Sequence, residues 1–328
     1  MTKFKNSLKS SIHNIHLWLG LGSGILIFII CLSGTVLAFE DEITRLLQPG
    51  KFYVTEGEST LSEEQLIEIL QSEEGGEVAY VIVPEKADEA YIFSLKTKPE
   101  QRHGTRYYMN PYSGEILGNA SGGVKEFFGF FFRLHRWLLL DSSIGRPIVG
   151  VATLIFLVMI LSGIYMWWPV KLKFLKNGFK LKTRAPRVKV NYDLHNVLGF
   201  YASVLLLVLA LTGLNWSFEW YRNGASALLG AEVFARGNNV ENNEDGSQDI
   251  FTTPLSITEL RAMADEKFSY DGLHRINFGK GESQVTEVRK YKSGFFAFAA
   301  PDKVWVNRNT GDILAVDDFS EKPFTIFI

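Results

Sequence analysis

The sequence predicts an α-helical membrane bundle of three spanning helices with two small α+β extracytoplasmic domains. Three apolar runs, Leu17–Phe39, Ile148–Trp168 and Val197–Trp216, each reach the roughly 20 residues that a helix needs to cross a bilayer. The segments that follow the first and third runs have the mixed composition of water-soluble protein. The mean hydropathy is just above zero because these two kinds of segment balance each other.

Each apolar run is introduced by a histidine and contains a Leu-Ser-Gly or Leu-Thr-Gly sequence near its end. The three histidines are His16, His135 and His195, half of the six in the chain. A titratable imidazole costs free energy at membrane depth, so a histidine placed there is a candidate functional residue. The repeated pattern therefore makes these three histidines the first candidates for a functional site.

The first apolar run is predicted to be an uncleaved signal anchor. It follows Lys3, Lys5 and Lys9, as a signal peptide would. However, its apolar stretch is longer than the usual signal core of about 7–15 residues, and no Ala-x-Ala cleavage site follows it. We therefore expect this run to remain in the membrane as the first spanning helix.

The distribution of basic residues predicts the orientation, because lysine and arginine mark the cytoplasmic side of a membrane protein. The linker between the second and third runs is rich in them and contains no acidic residue. Its basic residues are Lys171, Lys173, Lys176, Lys180, Lys182, Arg184, Arg187 and Lys189. The segment after the first run instead opens with the acidic residues Glu40–Glu42. We expect the N-terminus and this linker to be cytoplasmic, and the linker to contact anionic lipid headgroups.

Six parts follow from these boundaries. They are a cytoplasmic segment with spanning helix 1 (residues 1–40), an extracytoplasmic domain (41–125), an interfacial helix with spanning helix 2 (126–169), a basic cytoplasmic loop (170–192), spanning helix 3 (193–220) and a second extracytoplasmic domain (221–328).

The two extracytoplasmic segments repeat one order of elements, a helix followed by strands. The first helix begins after Ser62, a predicted N-cap with Gln65 three residues later, and the second spans Ser256–Phe268. Strands rich in β-branched and aromatic residues are predicted at 79–83, 90–95 and 106–110, and again at 284–291, 295–299 and 304–307. Similar turns, Asn110–Leu117 and Asn307–Leu314, close the two segments. A duplicated domain is the simplest interpretation, with the polar stretch Gly237–Gln248 as a linker.

Several function classes are not supported by the sequence. Cys31 is the single cysteine, which excludes a disulfide, a cysteine-ligated zinc site and a cysteine-held iron–sulfur cluster within one chain. No Gly-x-Gly-x-x-Gly follows a strand, so nicotinamide and flavin sites are not indicated. Hydrolase signatures such as Gly-x-Ser-x-Gly and His-Glu-x-x-His are absent. With 34 basic and 36 acidic residues, nothing indicates nucleic acid as a partner.

These features together resemble the PepSY-associated transmembrane family. The resemblance rests on the histidine-headed spans, on Trp167-Trp168-Pro169 and on the two closing turns, and it covers nearly the whole chain. The family includes haem-containing inner-membrane reductases of ferric siderophores, which implies haem and an iron chelate for this chain. Family members usually have a fourth spanning helix with a further histidine, whereas this sequence stops at Phe324–Ile328. We expect either a truncated sequence or a protein that lacks part of the usual site.

His16 and His195 are predicted to be the axial iron ligands of one haem b. The predicted topology makes spans 1 and 3 parallel, which places both histidines at the cytoplasmic face. Facing helices of a bundle can supply the two imidazoles that hold such a haem. Gly20 and Gly199, each four residues later, would leave room for a flat group. His13 is an alternative ligand, and interfacial anchoring of the helices is the alternative role for these histidines.

His135 is predicted to lie at the opposite, outer face, where a second haem is possible. Arg133 and Arg136 flank it and could bind haem propionates through bidentate bonds. Its partner would be the histidine of the fourth helix that the family usually has. With this chain alone, an outer haem would have the single protein ligand His135 or would not bind. His103 and His274 are predicted to be surface histidines.

The function that the sequence favours is outward electron transfer by an inner-membrane haem b protein of a bacterium. Reduction of a ferric siderophore, or a related iron chelate, is the reaction that the resemblance implies. Electrons would come from a separate donor, either quinol in the bilayer or a cytoplasmic flavoprotein. The alternative is a non-enzymatic, membrane-anchored protein whose PepSY-like domains bind or regulate extracytoplasmic partners, so enzyme activity stays open at this point.

Overall fold

The computed structural model describes residues 2–98, 101, 104–169, 175–176, 178–180, 185–230, 254–279, 285–294 and 300–319. Parts of the basic loop, the linker Gly237–Gln248, the strand predicted at 295–299, His103 and Phe324–Ile328 lie outside these residues. The described residues divide into two compact units. The membrane unit draws on Met1–Phe39 and Phe127–Ala235, and the sheet unit on Glu40–Glu126 and Arg236–Pro323.

The membrane unit is helical throughout its described elements. Its helices are α1 (Thr2–Ala38), α5 (Gly123–Trp137), α6 (Ser142–Trp167), α7 (Arg187–Ser217) and α8 (Glu219–Leu229). Three of them, over Leu8–Ala38, Ser142–Trp167 and Arg187–Ser217, are long and apolar enough to cross a membrane. The three predicted spans are therefore confirmed as helices, and each one extends beyond its predicted start.

Helix α6 packs against both α1 and α7 and runs antiparallel to each of them. Lys9, near the start of α1, donates a hydrogen bond to the carbonyl of Trp168, just after α6. At the opposite end, Gly150 of α6 lies so close to Phe218, directly after α7, that a side chain there would collide with the phenyl ring. Since α6 is antiparallel to both neighbours, α1 and α7 run in the same direction.

A tight corner joins α5 to α6 and determines where α5 ends. Leu138 and Leu139 have φ angles of +55° and +62°. Residues other than glycine adopt this left-handed backbone conformation at a cost of about 1–2 kcal/mol each. The amide of Leu139 donates to the carbonyl of Arg133, which closes the last turn of α5. Asp141 then caps α6 by accepting a hydrogen bond from the amide of Ser143. The corner leaves His135 in the last turn of α5.

The sheet unit contains two copies of the predicted helix-and-strands order. Its helices are α2 (Glu40–Leu47), α3 (Pro49–Phe52), α4 (Glu63–Glu74) and α9 (Ile257–Lys267). Its strands are β1 (Glu77–Val83), β2 (Tyr91–Lys96), β3 (Thr105–Met109), β4 (Ile116–Asn119), β5 (Gly272–Asn277), β6 (Val285–Lys292), β7 (Asp302–Asn307) and β8 (Ile313–Asp317). Capping boxes begin α4 at Ser62 and α9 at Ser256, which confirms the predicted cap at Ser62.

The prediction of two small α+β domains is wrong, because both repeats join in one antiparallel sheet. In the described residues the strand order is β4-β3-β2-β1-β5-β6-β7-β8. The joint is the pairing of β1 with β5, in which Val81 lies opposite Ile276. A separate four-stranded repeat would leave its first strand as an open edge with unpaired amides and carbonyls. Pairing the two first strands with each other satisfies both edges at once.

One hydrophobic core serves both repeats. It contains buried residues of α4, α9 and the strands, among them Leu66, Phe93, Leu260 and Val288. An ion pair also links α4 to α9. Glu63 of α4 is 3 % exposed and accepts a hydrogen bond of 2.7 Å from Arg261 of α9. On the opposite face of the sheet, Phe52 of α3 covers Tyr108 of β3, with ring centres 4.7 Å apart. The repeats are therefore halves of one folded unit.

The prediction that His274 is a surface histidine is wrong, because its strand was not recognised from the sequence. His274 lies on β5, at the centre of the sheet, and is 4 % exposed. Its Nε2 lies 2.8 Å from Asp265 Oδ1 on α9. The same carboxylate oxygen accepts a hydrogen bond from Nζ of Lys290 on β6, which is also 4 % exposed. One partly exposed carboxylate thus serves two buried basic groups.

These polar groups have apolar counterparts in the first repeat. Lys290 lies two residues beyond the buried Val288, just as Leu95 lies two residues beyond the buried Phe93 on β2. The first repeat therefore fills this part of the core with a leucine, and the second fills it with a charged group. A buried charge contributes to stability only while it stays paired, so this half of the core depends on the protonation of its partners.

We expect the second repeat to lose stability in mildly acidic solution. Burial lowers the pKa of His274, and the charges of Arg261 and Lys290 act in the same direction, against the favourable effect of Asp265. The folded state therefore binds the proton less readily than the unfolded state, whose histidine has a pKa of about 6.5. The free energy of unfolding should decrease as the pH falls through this value.

Hydrogen exchange of the full chain in detergent measures this effect. After correction for intrinsic exchange rates, amides of β5 and α9 should lose protection between pH 7.5 and pH 5. The variant His274→Ala should lose much less over the same range. An equal loss in the variant would assign the acid sensitivity to other groups.

Candidate functional site

Helices α1, α6 and α7 enclose a cavity of about 610 Å³ inside the membrane unit. This volume lies within the range of about 300–1,000 Å³ that small-molecule and cofactor sites usually have. The lining residues include His13, His16 and His195. Its walls are mainly apolar, with contributions from Phe156, Ile160, Ile164, Phe200 and Leu206. Two of the three histidines predicted as ligands therefore line the same cavity.

The structure brings His16 of α1 and His195 of α7 together. Their ring centres are 6.4 Å apart, and their ring planes form an angle of 75°. The parallel course of α1 and α7 places the two histidines at the same end of the bundle. His13, the alternative ligand, also lines the cavity, one helical turn before His16.

A hydrogen bond from α6 orients the imidazole of His16. Its Nδ1 lies 2.8 Å from the hydroxyl oxygen of Ser162. The carbonyl oxygen of Met159 lies 3.1 Å from the same hydroxyl, and when Ser162 donates to this carbonyl its oxygen accepts from Nδ1–H. This arrangement leaves the lone pair on Nε2. A histidine that ligates a metal typically donates its other ring N–H in this way.

The spacing of the two imidazoles fits a metal held between them. An imidazole nitrogen bonds a transition metal at about 2 Å and its ring centre lies about 1 Å further, so two opposed imidazoles place their centres about 6 Å apart. The observed 6.4 Å agrees with that value. Among the described residues, no group of three or more His, Cys, Asp or Glu side chains is positioned to hold a metal ion. Two histidines suit a haem, because the porphyrin itself supplies four nitrogen ligands.

Glycines determine how much space surrounds the histidine pair. A β-carbon at Gly163 would lie 3.4 Å from Cε1 of His16, so α6 approaches this ring closely. At Gly199, one turn after His195, a β-carbon would have no neighbour within 4 Å. Gly199 also lines the cavity, which makes it the open side of the site. Gly20 differs, since its β-carbon would contact Met159 at 3.3 Å, and it therefore serves helix packing.

An aromatic wall closes the cavity at one side. Trp167 of α6 stacks on Phe200 of α7, with ring centres 3.6 Å apart and planes at 16°. The indole Nε1 of Trp167 donates to the carbonyl of Gly178, at 3.3 Å. The sequence indicated Trp167 only as part of the Trp167-Trp168-Pro169 sequence on which the family resemblance rests. Neither Ser162 nor Phe200 was predicted at the site, because no sequence motif shows which residues of α6 and α7 face His16.

His135 occupies a different place in the membrane unit. Its Nδ1 donates a hydrogen bond of 2.8 Å to the carbonyl oxygen of Ile30 on α1, which leaves the lone pair on Nε2. Ile30 lies fourteen residues after His16, about 21 Å along the helix at 1.5 Å per residue. The structure therefore separates His135 from the pair formed by His16 and His195. Ligation of haem by any of the three histidines stays a prediction.

The residues next to His135 form an aromatic, positively charged surrounding. The guanidinium of Arg136 lies over the rings of Phe132, Trp137 and Trp216, at 5.4, 5.7 and 5.0 Å from their centres. Burial, together with the positive charge of Arg146, lowers the pKa of Arg136. The buried indole Nε1–H of Trp137 has no hydrogen-bond partner among the described residues. Unsatisfied donors and a guanidinium suit an anionic group here.

We expect the contact between α5 and α1 to be sensitive to one glycine. A β-carbon at Gly34 would lie 2.8 Å from Cε1 and 3.1 Å from Nδ1 of His135, so Gly34→Ala should displace the imidazole from Ile30. Such overpacking typically costs about 1–3 kcal/mol. Thermal unfolding in detergent measures the effect.

Gly22→Ala is the matched control for this experiment. Gly22 lies on the same helix as Gly34, and a β-carbon there would have no neighbour within 4 Å. It should leave the unfolding temperature unchanged or raise it slightly. If both variants unfold like the wild type, then α5 does not hold His135 against α1.

Comparison with known proteins agrees with this architecture. The model of the family described as the PepSY-associated TM region matches residues 13–325, which include the three spans and most of both repeats. No curated protein matches the chain. The resemblance noted in the sequence is confirmed, and the chain belongs to the PepSY-associated transmembrane family.

Proposed function

We propose that this membrane protein binds one haem b between His16 and His195 and moves electrons outward across a bacterial inner membrane. The observation that carries the proposal is the histidine pair, 6.4 Å apart between ring centres, in a cavity of about 610 Å³. Two parallel helices that served only as an anchor would not require two neighbouring imidazoles that line one mainly apolar cavity. A titratable imidazole costs free energy at membrane depth, so two of them at one cavity indicate a functional role.

The protein residues have distinct tasks in this proposal. Ser162, whose hydroxyl oxygen lies 2.8 Å from Nδ1 of His16, would orient the imidazole and leave Nε2 to bind iron. The absence of a side chain at Gly199 keeps one side of the cavity open. The stacked rings of Trp167 and Phe200 form the wall at another side. A haem with two imidazole ligands exchanges single electrons, and its potential depends on those ligands and on burial.

The proposed direction of electron transfer and the proposed electron acceptor rest on the sequence and on the family resemblance. The basic loop and the acidic start of the sheet unit favour a cytoplasmic N-terminus and an extracytoplasmic sheet unit. One electron from quinol or a cytoplasmic flavoprotein would reduce one Fe(III) of a siderophore or related chelate to Fe(II). Hard oxygen ligands hold Fe(II) less tightly than Fe(III), so reduction promotes release of the iron. The proposed substrate class comes from the family resemblance, because the family includes haem-containing reductases of ferric siderophores.

His135 offers a second position for a carrier on the outward route. It lies about 21 Å along α1 from the level of His16, and its Nε2 is available. The guanidinium of Arg136 and the indole N–H of Trp137 add donors for the carboxylates of a haem. We propose His135 as the protein ligand of an outer haem.

We expect the purified protein to give a reduced-minus-oxidised visible spectrum with b-type bands. In His16→Ala and in His195→Ala the bands of the inner haem should disappear, because each variant removes one of its two iron ligands. Protein expressed in haem-replete cells is the material to measure.

Circular dichroism and size-exclusion chromatography of each variant provide the control for folding. A wild-type protein that is folded but colourless would overturn the proposal. It would leave a membrane-anchored protein whose PepSY-like repeats bind or regulate extracytoplasmic partners. Bands of full intensity in both variants would move the inner haem to other ligands, with His13 the first to test. Bands that remain at part of the wild-type intensity would belong to the outer haem at His135.

We expect Ser162→Ala to weaken haem binding without abolishing it. Loss of a hydrogen-bond partner that orients a metal-ligating histidine typically costs about 10–100-fold in affinity. Titration of the haem-free protein with haem measures the change. Ser33→Ala is the matched control, because Ser33 is fully buried in the same bundle and donates to carbonyls of its own helix. Equal affinities of the two variants would contradict the role given to Ser162.

A further inference from the structure

We infer that Lys9 and Lys180, which both line the cavity, bind the propionate carboxylates of the haem at the end where α1 begins. This inference rests on the proposed function and adds residues that recognise and orient the cofactor. It also assigns a direction within the bundle, because the two carboxylates would face the N-terminal end of α1.

The charge distribution of the cavity lining supports this assignment. The part of the lining beyond the histidines is apolar, whereas Lys9 and Lys180 supply positive charge. Asp193 also lines the cavity, and its carboxylate forms an ion pair with Lys189 of the preceding turn of α7. None of the ion pairs among the described residues includes Lys9 or Lys180, and the carboxylate of Asp193 is the acidic group in the described lining. Haem has a matching asymmetry, with an apolar macrocycle and two carboxylates at one edge.

Lys9 is well positioned for this contact. It lies seven residues before His16 on α1, about 10 Å along the helix axis. Its Nζ donates one hydrogen bond of 3.3 Å to the carbonyl of Trp168, which ties the side chain to the end of α6. An ammonium group has three donors, so further N–H groups remain for a carboxylate.

The segment that contains Lys180 is held at the cavity by a separate contact. The carbonyl of Gly178, two residues earlier, accepts the hydrogen bond from Nε1 of Trp167. Phe179 packs against the same wall, with its ring centre 5.0 Å from that of Trp167 and 5.3 Å from that of Phe200. These contacts hold the backbone next to Lys180 at the cavity, which Lys180 lines, and charge-assisted bonds from an ammonium group to a carboxylate are stronger than bonds between neutral groups.

Two ligands and three lysine variants test the inference. Haem and haem dimethyl ester, in which both propionates are esterified, are titrated into haem-free wild-type protein, Lys9→Gln and Lys125→Gln. Lys125 lies on α5 and does not line the cavity, so its variant changes the net charge equally elsewhere. We expect Lys9→Gln to bind haem about tenfold or more weakly, the effect of losing one hydrogen bond to a charged group.

The dimethyl ester separates recognition of the carboxylates from damage to the cavity. Lys9→Gln should bind the ester as tightly as the wild type does, and Lys9→Arg should largely restore binding of haem. Unchanged haem affinity in Lys9→Gln, or an equal loss for both ligands, would overturn the inference while leaving the histidine ligands in place. A wild-type protein that takes up no haem would overturn the proposed function, and this inference with it.

Discussion

The packing of α6 between α1 and α7 is the constraint on which the candidate site depends. Because α6 is antiparallel to both neighbours, α1 and α7 run in the same direction, and residues near their starts lie at one end of the bundle. His16 and His195 therefore meet, with ring centres 6.4 Å apart. The same helix supplies Ser162, whose hydroxyl oxygen lies 2.8 Å from Nδ1 of His16. The position of the imidazole and its hydrogen-bond partner thus come from one packing arrangement.

The membrane unit presents two different surroundings for histidines. His16 and His195 face each other across an apolar cavity with lysines at its rim, which suits a group held by two imidazoles. His135 instead lies against α1 through the carbonyl of Ile30, beside the guanidinium of Arg136 and its aromatic rings. A separation of about 21 Å along α1 makes these independent sites. An electron route across the membrane needs such a series of positions rather than one central cluster.

The sheet unit shows how a duplicated sequence becomes one structure. Pairing β1 with β5 removes two open edges and lets α4 and α9 share a core. The duplication is not symmetric in its chemistry, because Lys290 occupies the place that Leu95 has in the first repeat. The carboxylate of Asp265 compensates both Lys290 and His274. The first repeat therefore resembles an ordinary apolar core, and the second contains a charged network whose stability depends on pH.

The sequence by itself determined the three spans, the repeated helix-and-strands order, the cap at Ser62 and the family, because length, periodicity and local turn chemistry are encoded in consecutive residues. It also selected His16 and His195, since a repeated histidine before an apolar run is visible without a fold. Only the tertiary structure decided that the repeats form one sheet, because strand β5 carries His274 and Arg275 among its apolar residues and does not look like a buried strand. Likewise, Ser162, Lys9 and Phe200 became site residues through helix packing, a physical contact between distant segments that no local pattern records.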